Sequence, residues 1–272
     1  MHAMYARLPK HFVLEERLER YADAIEVCPW AYRGRWAEAC WPVGESRDGG
    51  AFAQVRVDLG CGKGAFLVAS AMREPDVLFV GMDAEPLCIA YAAQHIMEAE
   101  LANAVVVPAQ ADVLPRVFGP GEVEVIHLNF PTPYPRKKDA KQRMFALERL
   151  FEFREVLAPG GTVRLRTDSQ PLRDFFLTQL EAAGYEVVRQ FEDERAELPD
   201  EPSSEYERRL CEQGAKVLGV WATPATLPAR VEQTASLSLV DYLPEDLFAG
   251  RYVPHGMEGT ILNLRNQRLR QG

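Results

Sequence analysis

The stretch DLGCGKG (58–64) places an acid two residues ahead of three alternating glycines. Its G-x-G-x-G spacing is not the G-x-G-x-x-G of dinucleotide folds, whose third glycine opens a helix N-terminus to a pyrophosphate. A loop of Gly60, Gly62 and Gly64 beside Asp58 suits a ligand that lacks phosphates but carries an ammonium, a carboxylate and a ribose. S-adenosylmethionine is such a ligand. The glycines let backbone approach its amino-acid part, and Asp58 accepts from its ammonium, directly or through water. Asp83, nineteen residues past Gly64, is placed to accept from both ribose hydroxyls. Asp112, after a third strand-like segment, is placed to accept from the adenine amino group. Asn129, at the end of a fourth, is counted with the same donor site.

A second constellation follows at once. NFPTPYPRKKDAKQR (129–143) leaves an apolar segment, breaks on three prolines and turns basic. It has two readings. In one, Asn129, Pro131 and Tyr134 resemble an N-P-P-Y motif that holds a planar amino group for methylation, with the spacing stretched. In the other, Arg136, Lys137, Lys138, Lys141 and Arg143 meet phosphates. Over 136–154 seven Lys/Arg face Asp139, Glu148 and Glu152, a local charge of +4, while the rest of the chain carries −13 of a net −9. A pI near 5.2 argues against a general polyanion binder, so this patch must carry any nucleic-acid contact. Basic residues in a first helical turn oppose the helix dipole, which suggests that they serve a ligand.

The elements that hold these residues alternate. VRVDLG (55–60), VLFVGMD (77–83), AVVV (104–107), EVEVIHLNF (122–130), TVRLRTD (162–168), EVVRQF (186–191) and AKVLGVWA (215–222) read as strands. GAFLVASAMRE, EPLCIAYAAQHIMEAE, KQRMFALERLFEFREVL and PLRDFFLTQLEAAGY read as helices between them. The stripe expected on the second helix runs through positions 87, 90, 91, 94 and 97. This order predicts an α/β fold with a mostly parallel sheet, helices on both faces and a ligand at the carboxyl ends of the strands. Residues 1–50 form an arm with a helix at ERLERYADAI and three of the four tryptophans, Trp30, Trp36 and Trp41, expected to pin it to the core. Residues 51–222 form the catalytic-size domain, after a glycine joint at 46–50. Residues 223–272 form an extension that ends in a strand-like GTILNLRNQRLR. EDERAELPDEPSSEYE reads as an acidic loop. Five scattered cysteines without a CxxC pair suggest reduced thiols in a cytoplasmic protein, with Cys61 filling space. No metal cluster is expected and no run is long enough for a membrane helix. His127 reads as a core residue rather than a base.

From about Arg35 to Val220 the chain resembles the bacterial tRNA (guanine-N7)-methyltransferases. The resemblance rests on DLGCGKG, on the proline-basic segment, on RTD (166–168) and on SSEYERR (203–209). It implies a Rossmann-like seven-stranded methyltransferase sheet, S-adenosylmethionine as donor and N7 of a guanine in the tRNA variable loop as acceptor. It implies substrate roles for Arg136, where the family has a lysine, and for Asp168, Ser204 and Glu207, and a catalytic role for the position of Thr132; Asp168 is counted as catalytic beside it, and Lys137 and Lys141 are counted as substrate contacts from the basic patch. Here the sequence departs from the family. Thr132 stands where an acid is usual between the prolines, Tyr134 where tryptophan is, Lys138-Asp139 for an Arg-His pair and Ser204 for threonine. The extension 223–272 has no family counterpart. Guanine N7 bears a lone pair and no proton, so its methylation needs no general base and depends on placement. The expectation is a weakened or retuned enzyme. The alternatives are a degenerate homologue that binds donor or RNA without turnover, and an amino-group methyltransferase. Monomer and homodimer are both left open.

Overall fold

The computed structural model describes residues 12–40, 50–244 and 252–271. Seven strands form one sheet: β1 (Gln54–Leu59), β2 (Val77–Asp83), β3 (Ala104–Pro108), β4 (Val123–Asn129), β5 (Leu157–Thr167), β6 (Tyr185–Phe191) and β7 (Leu218–Pro224). Their order is β3-β2-β1-β4-β5-β7-β6. Pairings from β3 across to β5 are parallel, and β7 runs antiparallel to both β5 and β6. The sequence reason is plain for the central strands. β2 is buried at six of its seven positions, as a strand covered on both faces must be. Order reverses between β1 and β4, so a crevice opens at the carboxyl ends of these two strands. The glycine loop leaves β1 there, and the proline loop leaves β4.

The main core lies on one face of the sheet, around Val57, Leu59, Val80, Ile126, Leu128, Val163 and Leu165; a second core on the other face gathers Phe79, Val106, Leu67 and Ile96. The arm is fastened to the main core by Trp36, which is fully buried and donates its indole N–H to the Val117 carbonyl at 2.9 Å. Trp30 is 60% exposed and Trp41 lies outside the described residues, as does most of the expected joint at 46–50. The arm also bridges Ile25 to Val106 on the outer edge of β3.

Several elements differ from the sequence reading. The helix Pro86–Glu98 buries Leu87, Ile89, Ala90, Ala92, Ala93 and Ile96, a stripe rotated from the expected one. The small alanines let this helix approach the glycine loop, and a Cβ on Gly64 would lie 2.8 Å from that of Ala92. The long helix expected from Lys141 is a 3-10 turn (Lys137–Gln142) and then a helix from Leu147 to Val156, with Arg143 turned inward between them. The acidic loop contains two short helices, Glu194–Glu197 and Glu205–Glu212. The extension ends in a helix, Glu258–Gln271, not a strand. Its alternating I-L-N-L misled because Met257 and Ile261 are both buried, and a spacing of four puts them on one helical face.

Candidate functional site

At the end of β1, Asp58 is 1% exposed. Asn129, at the end of β4, donates its amide N–H to Asp58 Oδ1 at 3.0 Å. Burial is the main force that raises the Asp58 pKa to about 7; Asp83 adds to the rise, while the Asn129 hydrogen bond and Arg166 oppose it. The carboxylate is therefore short of positive charge. Asn129 Oδ1 is also buried and has no hydrogen-bond partner among the described residues. A buried acceptor beside a half-ionised acid fits an incoming ammonium, which would satisfy both. These residues suit the amino-acid end of S-adenosylmethionine.

Asp83 ends β2 and holds the loop. Its Oδ2 accepts from the Gly62 N–H at 2.9 Å and its Oδ1 from the Glu85 N–H at 2.8 Å. Desolvation raises its pKa against those two backbone bonds. Gly62 has φ +54°, and nothing lies within 4 Å of where its Cβ would be, so its backbone faces open space. Asp112 is exposed on the turn after β3. It lines a cleft of about 380 Å³ together with Glu26, Trp30, Gln110 and Arg116, and no glycine-loop residue lines that cleft. Cys61 is buried and its thiol pKa is pushed well up, so it stays a neutral space-filler. Burial holds the His127 pKa well below its usual range, which leaves a neutral core imidazole.

The proline loop is strained and clamped. Phe130 (φ +50°) and Tyr134 (φ +45°) take left-handed conformations on either side of Pro131-Thr132-Pro133. Such non-glycine residues cost about 1–3 kcal/mol each and persist where the surroundings over-determine them. Arg143 is that constraint. It is 1% exposed, donates to the Pro133 carbonyl at 3.0 Å and the Tyr134 carbonyl at 2.8 Å, and lies over the Phe175 ring at 4.3 Å. Burial lowers its pKa to about 10, so it remains a cation at neutral pH. Arg143 is thus a brace, not a phosphate contact. Its signal in the sequence was its position just ahead of the apolar Met144 and Phe145. The loop presents Thr132 outward between two buried prolines. Lys137, Lys138 and Lys141 are exposed, and Arg136 pairs with Asp139 at 2.7 Å.

Asp168 follows β5 at the same rim. Nearby, Ser204 caps the helix Glu205–Glu212 by accepting from the Glu207 N–H at 3.0 Å. The Glu207 side chain is 2% exposed and takes the Arg195 Nε–H at 2.9 Å. The resemblance implied substrate contacts for this pair, but each has a partner inside the protein. Their effect is to hold Tyr206, whose ring packs edge-on to Phe130 at 5.7 Å. Sequence reading also missed Tyr252 and His255. The Tyr252 hydroxyl and the His255 N–H donate to Asp168 Oδ2 at 2.6 and 2.7 Å. No motif marked them.

Residues 53–220 match a family model described as "Putative methyltransferase". A tRNA (guanine-N(7)-)-methyltransferase of Geobacillus thermodenitrificans is 28% identical over 204 residues, which cover 75% of this chain and 90% of that protein. One from Streptococcus equi subsp. zooepidemicus is 25% identical over 218 residues, covering 80% of this chain and 99% of that protein. Among solved structures, the 16S rRNA methyltransferase KamB covers 64% of this chain and 89% of its own, with a TM-score of 0.52 at 19% identity, a likeness of fold.

Proposed function

The chain belongs to that methyltransferase family, and from this premise we propose that it transfers a methyl group from S-adenosylmethionine to N7 of a guanine in the variable loop of tRNA. The names of its relatives, matched over three quarters of the chain or more, support the acceptor. The observation that carries the reading is Asn129. It hydrogen-bonds the buried Asp58 of the donor loop while its own chain runs straight into Pro131-Thr132-Pro133. One residue thus joins the two loops that must bring methyl and acceptor together. The reading implies a cytoplasmic site of action. Among the described residues no helix is long and apolar enough to cross a membrane.

When bound, the donor supplies an electrophilic methyl on a sulfonium. Asp58 and Asn129 Oδ1 receive its ammonium, Gly60, Gly62 and Gly64 give its amino-acid part access to backbone, Asp83 accepts from the ribose, and Asp112 accepts from the adenine amino group. On the other side Arg136, Lys137 and Lys141 meet phosphates and fix the register of the RNA. The target guanine leaves its stack and is held by its edges. Thr132 and Asp168 accept from guanine N–H groups. Asp168 supplies the negative charge that favours the cationic methylated purine, a role the uncharged Thr132 cannot fill. Ser204 and Glu207 act on the substrate through the helix they cap and anchor. No side chain needs to remove a proton, because N7 has none.

The test is direct. Purified protein, unmodified tRNA and labelled S-adenosylmethionine should yield labelled 7-methylguanosine after digestion of the RNA. A labelled methylamine on a base would transfer the site to the amino-group chemistry. Donor binding without any label would leave a binding protein.

A further inference from the structure

The extension 223–272 lies wholly outside the family-matched residues 53–220, yet two of its segments press on the acceptor loop. Leu239 N–H donates to the Pro135 carbonyl at 3.0 Å, and Arg143 donates to the Leu237 carbonyl at 2.9 Å. Further on, Gly256 (φ +77°) lies so close that a Cβ there would be 2.9 Å from Pro133 Cγ. Met257 is fully buried and its sulfur accepts from the Ser169 hydroxyl at 3.3 Å. The His255 ring meets Tyr206 edge-on at 5.4 Å. Residues 252–257 therefore touch all three parts of the acceptor rim: the proline loop, the end of β5 and the helix Glu205–Glu212.

The contact with chemical consequence is at Asp168. The Tyr252 hydroxyl at 2.6 Å and the His255 N–H at 2.7 Å converge on one oxygen, Oδ2. Charge-assisted bonds of this length are about twice as strong as neutral ones and fix the rotamer of the acid. Among the described residues Oδ1 has no hydrogen-bond donor, which leaves it open to an incoming N–H. We infer that Tyr252 is a positioning residue of the methyl-transfer site, holding Asp168 by one oxygen so that the other meets the acceptor base. The extension is then a working wall of the acceptor site, and it delivers a hydroxyl to the same rim that lacks the family's acid at Thr132. This inference rests on the function proposed above.

Tyr252→Phe removes the hydroxyl and keeps the ring, so the fold is retained. The experiment measures single-turnover methyl transfer to tRNA at saturating donor and saturating enzyme, with donor affinity, tRNA affinity and Tm measured in the same preparations. The expected result is a rate about tenfold lower, with affinities and Tm unchanged, because only placement in the reacting complex is disturbed. Gly256→Ala, strained and pressed onto Pro133, should lower the same rate and leave donor affinity intact. A Tyr252→Phe rate within about twofold of wild type, or a loss that appears only in Tm or tRNA affinity, overturns the inference and leaves the function standing. A faster Tyr252→Phe enzyme also overturns it, since the extension would then be a cover rather than a brace. Wild-type protein that transfers no methyl group overturns the function and the inference together.

Discussion

Around the glycine loop the polar groups are buried, and their partners sit on the same loop or on neighbouring strands. Asp58 is held by Asn129 and Asp83 by the backbone of Gly62 and Glu85. Across the crevice Thr132 and the basic side chains offered to the acceptor are exposed and Asp168 is half-buried, and their loops are held by residues far away in the chain. Arg143 reaches Leu237, 94 positions on, and Asp168 is gripped by His255, 87 positions on. On the function proposed above, the difference follows from the two ligands. A small donor of fixed shape is met by a small buried site. A large RNA needs an open rim, and an open rim needs bracing from outside.

The comparison breaks first at Asp58. If that acid is the ammonium's partner, Asp58→Ala should weaken binding of S-adenosylhomocysteine by about 100-fold, since a buried charged hydrogen bond contributes about 1.5–3 kcal/mol. Titration calorimetry reads this, and unchanged affinity would remove the acid from the donor site. The same reading makes a second, opposite demand. Asp58 is desolvated, and an Asp58→Asn protein should be more stable than wild type at pH 8 even though it binds donor poorly. Its thermal midpoint should rise by several degrees, because an acid held near 7 instead of 3.8 destabilises its ionised folded form.

On the acceptor side the largest gain is expected from restoring charge. Thr132 is exposed between its prolines, so Thr132→Asp needs no repacking. One preorganised electrostatic contact is worth roughly 10²–10³ in rate in a closed site. In this open one a rise of about tenfold in single-turnover transfer is the expected outcome. No gain would mean that Asp168 already supplies the charge.

How far the two halves were legible in the sequence follows the same division. DLGCGKG and the acids after successive strands are local signals, and the strands themselves could be read from alternating apolar runs, whereas their order in the sheet and the antiparallel β7 carried no local signal. Burial left its trace in those runs, so even the neutral state of Cys61 and His127 was foreseeable. The acceptor half was only partly legible. Its basic run was visible, but Arg143 belonged to the interior. Ser204 and Glu207 fit a capping box and a buried pair as well as a substrate contact. Tyr252 and His255 carry no motif. Their role depends on where a chain segment returns in space, and neither composition nor periodicity encodes that.

A pH series sharpens the donor side at smaller scale. With a pKa of about 7 in the free protein, roughly a tenth of Asp58 is ionised at pH 6 and nine tenths at pH 8. The ammonium needs the ionised form, so donor affinity should improve about tenfold between those pH values. Stability runs the other way. The folded state keeps a proton that the unfolded acid has lost above about pH 4, so this group's contribution falls as pH rises to about 7 and is flat beyond. Both trends should vanish in Asp58→Asn.

The smallest effects belong to the exposed cations, and they test whether the acceptor rim reads phosphate at all. Lys137 and Lys141 sit on the same 3-10 turn, with no ion pair to an acid among the described residues, whereas Arg136 is tied to Asp139. Each lysine changed to alanine should weaken tRNA binding by about threefold to tenfold at physiological salt, with donor affinity unchanged. The slope of log affinity against log salt should drop by about one per lysine removed, and by about two in the double variant. Arg136→Ala should lose less, because its charge is partly spent on Asp139. Equal salt slopes in wild type and the double variant would mean that the turn does not touch the RNA backbone. The basic run would then be a solvated 3-10 turn, and the RNA would have to be held elsewhere, with the cleft of Trp30 and Arg116 beside the arm the next surface to alter.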